Sequence, residues 1–193
     1  MSLSTNRSAR GVAIVTMVAS VSYPAVVYSG LDRVPPLALV GLALALIGAR
    51  VLTLRPEESR LWRGPLAAAA VGLVALALVD GRLAALAYPV LLSLGLAVLF
   101  GRSLVFPPSV VERFARLADP GFPPEGVSYC RTVTVVWTLF LSLNGAIAAG
   151  LAVWGTPAWW TLWTGLVAYL LMGALFAGEY AVRQVVLRRR WSP

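Results

Sequence analysis

The groups in this chain that could do chemistry are few. Glu179 closes a long apolar run, and Arg183 follows one helical turn later, the order in which a carboxylate and a cation support each other on a helix. An alternative partner set is Arg102 and Arg131, which the run pattern places at the same end, so that an inward-facing Glu179 would make a charged floor beneath the other apolar segments. A buried carboxylate there could hold a proton, although no second intramembrane acid offers a relay. From Arg131 the residues Thr134, Thr138, Ser142 and Gly145 recur at helical spacing, with Asn144 about a quarter-turn away. Threonine and serine can return their hydroxyls to the preceding carbonyls, so the stripe alone carries little. Asn144 is different, because its amide needs a partner on another helix, as interhelical glue or as a ligand contact. The chain has no histidine and one cysteine, Cys130. That excludes histidine-ligated haem and zinc, Ser-His and Cys-His catalytic pairs, internal disulfides and multi-cysteine metal cages. No cofactor or metal is expected.

The elements that position these groups follow from composition. The 193 residues are 59% hydrophobic and 12% charged, a balance foreign to soluble domains. Apolar runs cover 11–29, 37–52, 65–79, 83–101, 132–153 and 159–178. A bilayer core about 30 Å thick takes about 20 apolar residues per helical crossing, so six crossings with short connections fit the length. Backbone groups in hydrocarbon must be paired within their own segment, which makes the runs helices. The fold class is therefore all-α, a single six-span transmembrane bundle over 1–193. The second and third runs are short, and Arg50, Arg63 and Arg82 can lift their heads to the interface beside them.

All sixteen basic residues are arginines, and they alternate with the connections. Arg7 and Arg10; Arg50, Arg55, Arg60 and Arg63; Arg102, Arg113, Arg116 and Arg131; and Arg183, Arg188, Arg189 and Arg190 fall on one side. Only Arg33 and Arg82 fall on the other. The positive-inside rule then places both termini in the cytoplasm. Trp154, Trp159, Trp160 and Trp163, with Tyr28 and Tyr88, form an outer aromatic belt, and Trp62, Tyr129 and Trp191 an inner one. The net charge of +8 thus reflects topology and attraction to anionic lipid, and no nucleic-acid partner is expected. Arg7 and Arg10 before an apolar run also resemble a signal peptide. The run continues to Tyr28, contains Pro24 and lacks an A-x-A site, so an uncleaved helix is expected.

Small residues recur every four positions at Gly41, Ala45 and Ala49, and at Gly165, Gly173 and Ala177 around Tyr169, which suits close packing inside the bundle. Pro24 and Pro89 each follow a tyrosine and should bend their helices; the shared Tyr-Pro hints at a three-plus-three inverted repeat. Between the fourth and fifth runs, Pro107-Pro108 stops one helix, and Ser109 to Glu112 reads as a capping box. Over 109–118, Val110, Val111, Phe114, Leu117 and Ala118 share one face, and Glu112, Arg113 and Arg116 the other. That is an amphipathic helix lying in the cytoplasmic interface. It fixes the angle between its neighbours, and Arg113 and Arg116 make it a candidate docking surface for an acidic partner or a lipid headgroup.

Tyr88-Pro89, Phe100-Gly101-Arg102-Ser103-Leu104, Glu112-Arg113-Phe114-Ala115-Arg116-Leu117, Tyr129-Cys130-Arg131, Asn144-Gly145 and the stretch 172–180 together resemble a family of small multi-span bacterial inner-membrane proteins of unassigned activity. Genes of that family lie among fatty-acid-synthase-like genes for acyl carrier proteins, ketosynthases and acyltransferases, including aryl polyene clusters. The loop and fifth run are also faintly similar to the intracellular septation protein A family. The resemblance covers the chain from Tyr88 onward and the first three helices in hydropathy alone. It supplies no catalytic residue, and Cys130 stands where relatives are expected to carry threonine. It implies a non-enzymatic accessory or scaffold component in envelope lipid or polyene biosynthesis, with membrane lipid and an acyl carrier protein or other envelope biosynthesis proteins as partners. The alternative is a small transporter or flippase for an amphipathic molecule, working through the Tyr-Pro bends and the polar site of Asn144, Glu179, Arg131 and Arg102. A lipid-directed enzyme would have only Glu179 or Glu112 with an arginine, and is the least supported reading.

Overall fold

A computed structural model describes the backbone of residues 2–54, 56–119 and 121–190, with side chains at 11, 15, 16, 18–54, 61–119 and 121–184. Among these residues the chain is helices joined by short turns, without strands: α1 (Ser2–Gly30), α2 (Pro36–Thr53), α3 (Pro56–Ala77), α4 (Gly81–Val105), α5 (Val110–Ala118), α6 (Gly126–Trp154), α7 (Pro157–Leu162) and α8 (Ala168–Arg190). A π-helical turn over Trp163–Val167 joins α7 to α8 without a break, and the Ala168 amide reaches back to the Trp163 carbonyl. The side chains of Arg7, Arg10, Arg55, Arg60, Arg188, Arg189 and Arg190, and Trp191, lie outside the described residues.

Local chemistry sets the helix starts. Pro36 and Pro157 occupy first-turn positions, where a missing N–H costs nothing. The Asp80 carboxylate caps α4 by accepting from the amides of Arg82 (2.8 Å) and Leu83 (3.0 Å). Ser109 caps α5 by accepting from the Glu112 amide at 3.4 Å. Several helices outrun the apolar segments that announce them. α3 begins at Pro56 and α6 at Gly126, well before the runs that start at 65 and 132. Intrahelical hydrogen bonds continue across charged turns outside hydrocarbon, whereas an apolar run ends at the first charge.

Four helical segments are long and apolar enough to cross a membrane: Pro36–Thr53, Gly81–Val105, Gly126–Trp154 and Pro157–Gln184. In α3 the described apolar part, Leu61–Ala77, is shorter. The surface matches a lipid solvent. Leu139 and Leu143 on α6 are 66% and 63% exposed, while Thr134, Asn144 and Thr164 are buried, the reverse of a soluble domain.

α4 is the central helix, packed against α2, α3 and α6. One core joins α1 to α4 with Trp160; a second gathers Ala97, Trp137 and Leu141 with Phe140, Met172 and Leu175 between α4, α6 and α8. α4 and α6 pack tightly at Gly145, where an added Cβ would fall 2.6 Å from Leu94 Cδ2. The other small-residue stripes are used differently from the sequence expectation. Gly41 and Gly173 have no atom within 4 Å of an added Cβ, and Ala45 and Ala177 are exposed. Only Gly165 packs as expected, with its Cβ position 3.4 Å from Pro24 Cβ.

Candidate polar site

The polar groups divide into a central clamp and a corner at the α5 end of the bundle. In the clamp, Asn144 on α6 donates through Nδ2 to Ser93 Oγ on α4 at 2.9 Å. Its Oδ1 accepts from the Trp163 indole Nε1 at 3.1 Å. Both ends of the amide are thus engaged by other helices, and the glue reading describes the geometry. Ser93 and Trp163 carry no marking in the sequence that sets them apart from other helical serines or interfacial tryptophans. The threonine stripe closes on its own backbone: Thr134 donates to the Cys130 carbonyl at 2.7 Å and Thr138 to the Thr134 carbonyl at 2.8 Å. Ser142 is exposed while Thr134 is buried, so the stripe is not a single interior face.

At the corner, the expected charged floor is not assembled. Glu179 Oε1 accepts from the Tyr129 hydroxyl at 3.2 Å. Arg131 Nη1 donates to the Leu104 carbonyl at 3.0 Å, satisfying the open end of α4. The Arg102 guanidinium lies 5.6 Å from the Phe106 ring centroid. Among the described residues the one salt bridge joins Arg116 to Glu112, so neither Arg102, Arg131 nor Arg183 pairs with Glu179. The Tyr129 bond places Glu179 beside the first turn of α6.

On α5, one residue of the charged face is buried. The Val110 amide donates to Ser103 Oγ at 3.0 Å, tying the first turn of α5 beneath α4. Val110 and Glu112 are buried, and Phe114 and Leu117 are exposed. The Glu112 carboxylate consequently binds Arg116, with Nε at 2.9 Å and Nη2 at 2.8 Å from Oε1, in place of the reciprocal half of a capping box. Arg113 Nε donates to the Pro108 carbonyl at 2.9 Å. Pro107, Pro108, Glu112, Arg116 and Val127 line an open depression of about 470 Å³ beside this pair. The arrangement can present guanidinium donors and an apolar edge at one surface; among the described residues no cluster of three or more metal-ligating side chains forms. The chain matches no protein-family model, no curated protein and no solved structure.

Proposed function

We propose that the chain is a six-span bacterial inner-membrane protein with both termini in the cytoplasm. Its role is that of a non-enzymatic accessory in envelope lipid or polyene biosynthesis. The sorting of the arginines supports the orientation. α1, with 29 residues, and α3, with 22, are about 43 and 33 Å long at helical rise and supply the two further crossings.

The observation that carries the accessory role is the α5 corner. Arg113 is anchored through one nitrogen to a backbone carbonyl, which leaves its other donors available, and half-exposed Arg116 stands beside the depression. The exposed Phe114 and Leu117 flank them. An acidic acyl carrier protein suits that combination of cations and apolar edge, and the resemblance to a family encoded near such carriers points the same way. Pull-down with the cognate carrier protein tests the role: reversing the charge of Arg113 and Arg116 should lower binding at least about tenfold, equivalent to roughly 1.4 kcal/mol. Binding indifferent to the reversal removes the docking role.

A transporter or flippase of an amphipathic molecule is the second reading, favoured by prolines inside α1 and α4 beside a π turn. Transport in reconstituted vesicles that survives Asn144→Ala and Glu179→Gln would defeat that site.

A further inference from the structure

Two prolines inside helices lie side by side in the bundle. Pro24 in α1 and Pro89 in α4 leave their helices continuous, but each removes the N–H that would have bonded the carbonyl four residues earlier, at Ser20 and Ala85. Tyr23 precedes the end of α1 by seven residues, and Tyr88 follows the start of α4 by seven. The two helices run in opposite directions, so both Tyr-Pro pairs lie at one level, near the end of the bundle formed by the α1–α2, α3–α4 and α6–α7 turns. An inverted repeat would have put them at opposite depths. Their rings meet edge to face, with centroids 4.7 Å apart.

The hydroxyls cross. Tyr23 on α1 donates to the Ala85 carbonyl at 2.8 Å, the acceptor that Pro89 leaves without its helical donor. A longer contact, 3.3 Å, runs from the same hydroxyl to the Leu39 carbonyl on α2. Tyr88 on α4 reaches Ser20 Oγ at 3.3 Å, on the residue whose carbonyl Pro24 has freed. Both tyrosines are buried. α7 and the π turn join the same level, with Thr161 Oγ1 3.5 Å from the Pro24 carbonyl and the Gly165 Cβ position against the Pro24 ring.

We propose that the Tyr23 hydroxyl is a latch: it replaces the hydrogen bond that Pro89 vacates in α4, so that α1 holds shut a break at which α4 would otherwise hinge. Unlatched, the Ala85 carbonyl loses its partner in an apolar interior, and the first turns of α4 separate from α1 to reach a new one. The consequence is a two-state element in the bundle, whichever role the protein has. In hydrocarbon such a bond weighs against an unpaired carbonyl, so its loss should shift the closed-to-open ratio on the order of threefold to tenfold.

Hydrogen–deuterium exchange of residues 81–95 in nanodiscs of the full chain tests the latch. Tyr23→Phe should speed exchange there by about that factor. In a Pro89→Ala background the restored N–H bonds Ala85 within α4, and Tyr23→Phe should then have no effect. Tyr88→Phe, which leaves the Ala85 bond intact, should fall well short of Tyr23→Phe. Unchanged exchange in Tyr23→Phe overturns the proposal, as does equal acceleration in the Pro89→Ala background or by Tyr88→Phe, since each assigns Tyr23 to packing alone. If Tyr23→Phe does not fold, recovery of folded protein by adding Pro89→Ala supports the latch, and failure to recover it overturns it.

Discussion

The indole of Trp163 and the amide of Asn144 share a hydrogen bond of 3.1 Å that ties the start of the π turn to the middle of α6. Because Asn144 also holds Ser93, one side chain joins three helical segments. Asn144→Ala leaves two half-buried groups, Ser93 Oγ and Trp163 Nε1, without this partner and should destabilise the protein by about 1–2 kcal/mol. Ser93→Ala, which leaves the Trp163 bond in place, should cost less. Equilibrium unfolding in detergent ranks the two; equal costs would show that the clamp does not act through Asn144.

Gly145 and the outward glycines should respond in opposite ways. A methyl at 145 would run into Leu94, so Gly145→Ala must shift Leu94 or part α4 from α6, at about 1–3 kcal/mol. Gly41→Ala and Gly173→Ala enter open space and should stay within about 0.5 kcal/mol of the parent protein. A loss at 41 or 173 as large as that at 145 contradicts the packing described, and the same unfolding measurement decides it.

The Glu112–Arg116 pair should behave as a unit. Arg116→Gln strands the buried Glu112 carboxylate and should cost about 1–2 kcal/mol, less than for a fully buried pair because Arg116 is half exposed. Removing the charge as well, in Glu112→Gln/Arg116→Gln, should recover part of the loss. A double variant less stable than Arg116→Gln alone would mean that the carboxylate is held by something other than this arginine.

Topology is open to a direct check. With Cys130 replaced by serine, cysteines at Gly155 and at Pro108 should react with an impermeant thiol reagent from opposite sides of the membrane. Labelling of both from one side rules out six crossings.

The elements with local causes were legible from residue types. Asp80 and Ser109 cap where an aspartate or serine before an apolar helix should, and Pro107-Pro108 ends α4 near Val105. Helix starts inside charged stretches, such as Pro56 for α3, were hidden because hydropathy marks the hydrocarbon and not the hydrogen-bonded helix. Asn144 was identifiable as a side chain in need of a partner, but its partners depend on how α4 and α7 rotate about their axes, which no local pattern encodes. Glu112 illustrates the same limit. Its helical face is readable from spacing, but nothing local says that Glu112 alone on that face is buried while Arg116 beside it stays half-exposed. Glu179, Arg102 and Arg131 share one end of the bundle, and each meets a nearer partner first.

The π turn at Trp163–Val167 has a consequence for how the last helix is read. A five-residue hydrogen-bonded step inserts one residue relative to α-helical phasing, and everything beyond it is turned by about 100°. The tryptophans before the turn and Glu179 after it therefore obey two angular registers, and a single helical wheel drawn through both assigns one of them to the wrong neighbours. Loss of one residue within the turn would restore ordinary winding while swinging the distal half, Glu179 included, away from Tyr129. Length at this one place acts as an angular adjustment between the two ends of the protein.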